Sequence, residues 1–110
     1  MDQKLIAEIL RFRDDRDWKQ FHNPKDLAIS LSLEAAELLE NFQWSTAEEA
    51  VEKRLSAISE ELADVVMYSV LFADAVDLDI GTIVKKKLEL NADKYPVDKA
   101  FGKKNKYTEF

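Results

Sequence analysis

Two acidic pairs stand out in this chain, Glu34-Ala-Ala-Glu37 and Glu61-Leu-Ala-Asp64. Their i, i+3 spacing puts both carboxylates of a pair on one face of a helix, one turn apart. Each pair lies in a mostly apolar run, where a carboxylate is costly to bury unless a cation or hydrogen-bond donors satisfy it. A hard divalent metal is the natural compensator, because an all-oxygen ligand set favours Mg²⁺, or Mn²⁺ in its place, over zinc. Such an ion takes its remaining ligands from phosphate oxygens and can activate an attacking water. The chemistry indicated is therefore phosphate chemistry, with Glu34, Glu37, Glu61 and Asp64 as catalytic and metal-holding candidates.

The projection of the two helices sharpens this. On the second helix Leu27, Ala28, Leu31, Ala35, Leu38 and Leu39 fill one side, while Ile29, Leu33 and Ala36 cover much of the other. Only a narrow stripe of Ser30, Glu34, Glu37 and Asn41 is polar, whereas a surface helix normally shows a wide polar face. On the third helix Glu61, Asp64 and Tyr68 share a strip flanked by Leu62, Val65, Val66, Val70 and Phe72. Small alanines beside the acids leave room for a ligand. If these helices run antiparallel, the strips meet. Glu40, Glu48, Glu49, Glu52 and Glu60 lie off the strips and read as solvated acids.

The elements that must position these groups are all helical. With 110 residues, two Gly, two Pro and no Cys, the chain fits one small domain without a disulfide framework or thiolate site. Apolar residues at helical spacing predict a first helix from Asp2 to about Trp18. Asn23-Pro24 suits an N-cap and first turn for a second helix, Pro24 to Asn41. Thr46-Ala47-Glu48-Glu49 fits a capping box that opens a third, Thr46 to Val76, with a break near Arg54 to Ser56. Asp79 caps a fourth, Ile80 to Lys94, which Tyr95-Pro96 stops. The expected fold is an all-α, four-helix-bundle-like domain over 1–97, followed by a basic tail over 98–110 that is extended or mobile unless a neighbouring subunit holds it. Apolar surface on almost every side of helices two and three predicts at least a homodimer.

Several classes are disfavoured. A net charge of −6 argues against binding a nucleic acid polymer, though not a single metal-screened nucleotide. No stretch reads as a signal peptide or membrane span, so the default setting is the cytoplasm. A di-iron bundle needs Glu-x-x-His on its helices, and no Glu stands three residues before His22, the only histidine. A non-enzymatic helical interaction module with an acidic groove stays open as an alternative.

The ordered set E-x-x-E, E-x-x-D, Arg16-Asp17-Trp18-Lys19-Gln20-Phe21-His22, Phe42-Gln43-Trp44 and Asn91-Ala92-Asp93-Lys94-Tyr95-Pro96-Val97 resembles the MazG-like nucleoside triphosphate pyrophosphohydrolases of the all-α NTP pyrophosphatase superfamily. The likeness is to their compact dCTP-pyrophosphatase branch and covers about residues 4 to 97. It implies hydrolysis of a (deoxy)nucleoside triphosphate, dCTP or a related dNTP, to the monophosphate and pyrophosphate, with Mg²⁺ held by the four carboxylates. It also implies a base and sugar pocket from Trp18, His22, Trp44 and Tyr68, phosphate contacts from Asn91 and Lys94 reinforced by Lys87, and a homodimer or homotetramer. Lys94 stands where the family often has Arg, which removes the bidentate fork. Trp18 and Trp44 would serve equally as core or subunit-interface anchors, and His22 as a brace for its turn. Within the superfamily, a dUTP or phosphoribosyl-ATP hydrolase is the alternative enzyme.

Overall fold

Every long helix of the chain begins at a side chain that satisfies its own first turn. The computed structural model describes residues 1–110. The Asp2 carboxylate accepts from the Leu5 N–H at 2.8 Å and opens α1, Gln3–Asp15. The Asn23 side chain accepts from the Asp26 N–H at 2.9 Å and opens α2, Pro24–Glu40. Thr46 Oγ1 accepts from the Glu49 N–H at 3.2 Å and opens α3, Ala47–Ala75. Asp79 accepts from the Thr82 N–H at 2.9 Å and opens α4, Ile80–Lys94. These bonds satisfy donors that have no partner inside the helix. The expected all-α class holds, with no strand anywhere. No helix is long and apolar enough to cross a membrane.

The first helix ends earlier than its apolar spacing predicts, at Asp15 and not near Trp18. Asp17 adopts a left-handed backbone, φ 54°, a conformation that Asp tolerates better than most residues. Gln20 steadies it by donating to the Asp17 carbonyl at 3.1 Å and carboxylate at 2.9 Å. A 3₁₀ turn over Lys19–Phe21 follows. The reversal brings Trp18 back onto Phe12, with ring centroids 5.9 Å apart in edge-to-face contact.

The chain divides into two units, Met1–Asp77 and Leu78–Phe110. In the first, α2 and α3 pack antiparallel. Arg54 donates to the Asn41 carbonyl at 3.2 Å, while Glu34, earlier on α2, meets Glu61 and Asp64, later on α3. The expected break in α3 falls at Arg54, φ −128° and ψ 22°, and that kink accompanies its bond to an end carbonyl of α2. Leu27, Ala50, Val70, Leu71 and Ala73 are buried. Arg13 is buried with them and ties α1 to α3, its Nη1 donating to Asp74 at 2.6 Å while Nε donates to Asp14 at 2.8 Å. Burial opposes the charge of Arg13, but the bonds to the two aspartates outweigh it and raise the guanidinium above its usual range.

The second unit holds α4, a short α5 at Val97–Ala100, and a 3₁₀ turn at Tyr107–Glu109. The tail is therefore not extended as expected. After α5 the backbone turns at Gly102, φ 72°, a value that suits a residue without Cβ. Tyr107 and Phe110 then pack edge-on to Tyr95, with centroids 5.9 and 5.8 Å away. The tail aromatics, scattered in sequence, converge on one ring, and that contact holds the segment.

The Arg13–Asp74 pair yields a stability prediction. Asp74→Ala leaves a buried guanidinium with one carboxylate fewer, at a cost of about 1–3 kcal/mol. Removing both charges together, in Arg13→Met/Asp74→Ala, costs less than the single change. Urea denaturation midpoints of the variants test this ordering.

Candidate functional site

Carboxylate oxygens of Glu34, Glu61 and Asp64 lie within 4.8 Å of one another in the seam between α2 and α3. All three side chains are half-buried. The i, i+3 spacing on α3 turns Glu61 and Asp64 the same way, and the antiparallel register brings Glu34 to them. Glu34 Oε2 and Glu61 Oε2 are buried without a hydrogen-bond partner. Buried polar atoms are nearly always paired, so two orphaned oxygens in one acidic cluster fit a cation. The donors are hard oxygens, which fits a divalent ion of the Mg²⁺ class. The cluster is consistent with a divalent metal. Glu37 stands outside the trio and is more exposed.

Repulsion within the cluster is visible in its proton affinities. Glu34 is pushed up to about 7, first by burial, then by the close approach of the Glu37 carboxylate and the charges of Asp64 and Glu61. Glu61 is raised chiefly by the proximity of the Glu37 carboxylate, then by burial and neighbouring charge. Like charges at this separation cannot all ionise cheaply without a counter-ion.

A cavity of about 210 Å³ opens beside the carboxylates. Trp18, His22, Tyr68 and Asp64 line it, together with Ile9, Phe12, Arg13, Met67 and Leu71. Asp64 thus belongs to both features. Tyr68 follows Asp64 by one turn of α3, as the strip on that helix predicts. His22 Nδ1 is buried without a partner, and burial, followed by the Arg13 charge, lowers the affinity of His22 for a proton. The volume falls below the range of about 300–1,000 Å³ typical of pockets for whole drug-sized ligands, and is large enough for a nucleobase but not for a whole nucleotide.

Of the remaining expected residues, Trp44 does not line this cavity. It sits in the α2–α3 turn in a left-handed conformation, φ 63°, and is 94% exposed. Lys87, Asn91 and Lys94 lie on α4 in the second unit. Asn91 is half-buried, the two lysines are exposed, and Lys94 Nζ sits 4.9 Å from the Tyr107 ring centroid. Sequence reasoning missed Arg13, Ile9, Phe12, Met67 and Leu71 as lining residues. A signal for Arg13 existed: it falls one turn after Ile9 on the apolar side of α1, where a charge is out of place.

Residues 29–110 match the model of the MazG-like family. The chain belongs to the MazG-like family. Among its relatives, dCTP pyrophosphatase 1 of Rattus norvegicus is 40% identical over 112 residues, covering 97% of this chain and 64% of the relative. The Homo sapiens protein of the same name is 38% identical over the same span. This MazG-like chain therefore spans about 64% of the length of the curated relatives it matches. A crystal structure of a pyrophosphatase from Archaeoglobus fulgidus DSM 4304 superposes with a TM-score of 0.79 at 41% identity, covering 86% of this chain and 91% of that one. The similarity thus extends to a solved all-α pyrophosphatase fold.

The raised Glu34 carboxyl makes metal-free stability depend on pH with a defined sign. Between its ordinary value of 4.5 and about 7, the folded state holds a proton that the unfolded state has released. Stability therefore falls as pH rises through this window. Thermal unfolding in EDTA should show a lower Tm at pH 8 than at pH 5.5 from this group, and Glu34→Gln should flatten the fall. Added Mg²⁺ should raise Tm more at pH 8 than at pH 5.5.

Proposed function

We propose that this chain is a Mg²⁺-dependent nucleoside triphosphate pyrophosphohydrolase that converts dCTP or a closely related dNTP to the monophosphate and pyrophosphate. The observation that carries the reading is the double membership of Asp64 in the carboxylate trio and in the ring-sized cavity. A base in that cavity would leave its phosphates near the acids. The dCTP pyrophosphatases among the relatives support the reaction class and the pyrimidine, and the archaeal pyrophosphatase supports the reaction class.

In this reading Glu34, Glu61 and Asp64 hold the ion, with Glu37 completing the set. Bound Mg²⁺ would neutralise charge on the phosphates and polarise the phosphoryl oxygen under attack. Carboxylate oxygens of the cluster accept hydrogen bonds from the incoming water and orient it toward the α-phosphorus. Trp18 and Tyr68 supply aromatic surface for the base, and His22 offers a hydrogen-bonding nitrogen. Trp44 is a further candidate for base contact. Lys87, Asn91 and Lys94 are proposed phosphate contacts on their cationic and amide chemistry, Lys94 as a point charge without the fork of an arginine.

We also propose a homodimer or homotetramer. Its support is the exposed apolar side chains of α2 and α3: Ile29, Leu33, Leu39, Leu55 and Leu62 all lie in solvent in the single chain. That is more apolar surface than a monomer of this size commonly leaves open.

Purified protein with Mg²⁺ and a panel of dNTPs should release dNMP and pyrophosphate, with no orthophosphate. Glu61→Gln and Asp64→Asn should each lower kcat by about 10²-fold or more, and Trp18→Ala should act mainly by raising KM. Release of single phosphates, or activity indifferent to the two acid substitutions, would refute the reading.

A further inference from the structure

The cavity contains a residue that an apolar base pocket does not need. The Arg13 side chain is only 5% exposed, yet it lines the cavity. Arginine carries five N–H donors. Nε is committed to Asp14 and Nη1 to Asp74. Nη2 makes no hydrogen bond within the protein, so part of the guanidinium is held and part is uncommitted. His22 Nδ1 in the same cavity is also buried and unpaired. A rigid cationic donor and an unpaired imidazole nitrogen, set in apolar walls, describe a polar edge waiting for its complement.

We propose that Arg13 determines base specificity, its free N–H donors binding the adjacent O2 and N3 acceptors of a cytosine ring while His22 Nδ1 accepts from the exocyclic amine. This rests on the reading that the cavity takes the nucleobase of a nucleotide substrate. Cytosine is the single-ring base that offers two neighbouring acceptors beside a donor. Thymine and uracil present an N3–H at the position where cytosine has a lone pair, so donor would face donor. The low proton affinity of His22, caused first by burial and then by Arg13, keeps its nitrogen available as an acceptor. Asp14 and Asp74 act through Arg13, as positioning residues that hold its plane.

The test measures binding apart from hydrolysis, by titration calorimetry with dCMP and dTMP, and base preference in turnover with dCTP and dTTP. The wild-type protein should favour the cytosine nucleotide by about 10- to 100-fold, the worth of one good bidentate base contact. Arg13→Met/Asp74→Ala removes both charges together and should lose that preference, with KM for dCTP rising more than kcat falls. Arg13→Lys keeps the charge and loses the fork, so it should also lose the preference even if the double variant proves unstable. Preference retained in either folded variant overturns the proposal, as does equal weakening of dCMP and dTMP or wild-type binding of neither. Cytosine-selective binding without hydrolysis of any dNTP would sink the pyrophosphohydrolase reading and leave Arg13 its role. Hydrolysis without cytosine preference would do the reverse.

Discussion

Mutual repulsion among the carboxylates in the α2–α3 seam is the constraint on which the rest of this structure depends. Three acids approach within 4.8 Å, two of their oxygens lie buried without partners, and Glu34 keeps its proton up to about pH 7. Left alone, that arrangement works against folding. It persists because the apolar faces of the same two helices hold them together regardless. Leu27 on α2 and Val70 on α3 are almost wholly buried, and their burial places the acids whether or not the acids gain from it. The site is thus preorganised at a cost in stability, which a divalent cation would relieve.

α1 has a different task. It adds little to the buried apolar core, and its one buried residue is a charged one. Through Arg13 and Asp74 it is pinned to the far end of α3, and its early termination at Asp17 folds Trp18 back toward Phe12. These two events make the cavity. Without the left-handed residue the helix would continue and carry Trp18 away from Tyr68. The cavity therefore comes from how α1 ends, and its chemistry comes from how α1 is tethered.

The large apolar residues left in solvent on α2 and α3 belong to the same economy. A helix that is apolar on nearly every side cannot be satisfied by one neighbour. Here each helix uses one face for its partner in the hairpin and one strip for the acids, and the remaining face stays open. In the second unit the tail finds a local solution. Tyr107 and Phe110 close onto Tyr95, and Lys94 lies over the Tyr107 ring.

Much of this was legible in the residues alone. Asn23, Thr46 and Asp79 announced three of the helix starts, since a cap is a local interaction and needs no tertiary partner. The acid spacing placed Glu34, Glu61 and Asp64 on narrow strips because helical periodicity is also local. The break at Arg54 was likewise anticipated. Tertiary structure alone decided the rest. It set the register that brings Glu34 to Glu61 and Asp64. It ended α1 at Asp17, burying Arg13 at the cavity beside His22, and it folded a tail that composition made look mobile. Each of these depends on residues far apart in the chain meeting, or on a rare backbone state that such meetings stabilise, and neither leaves a periodic trace in sequence.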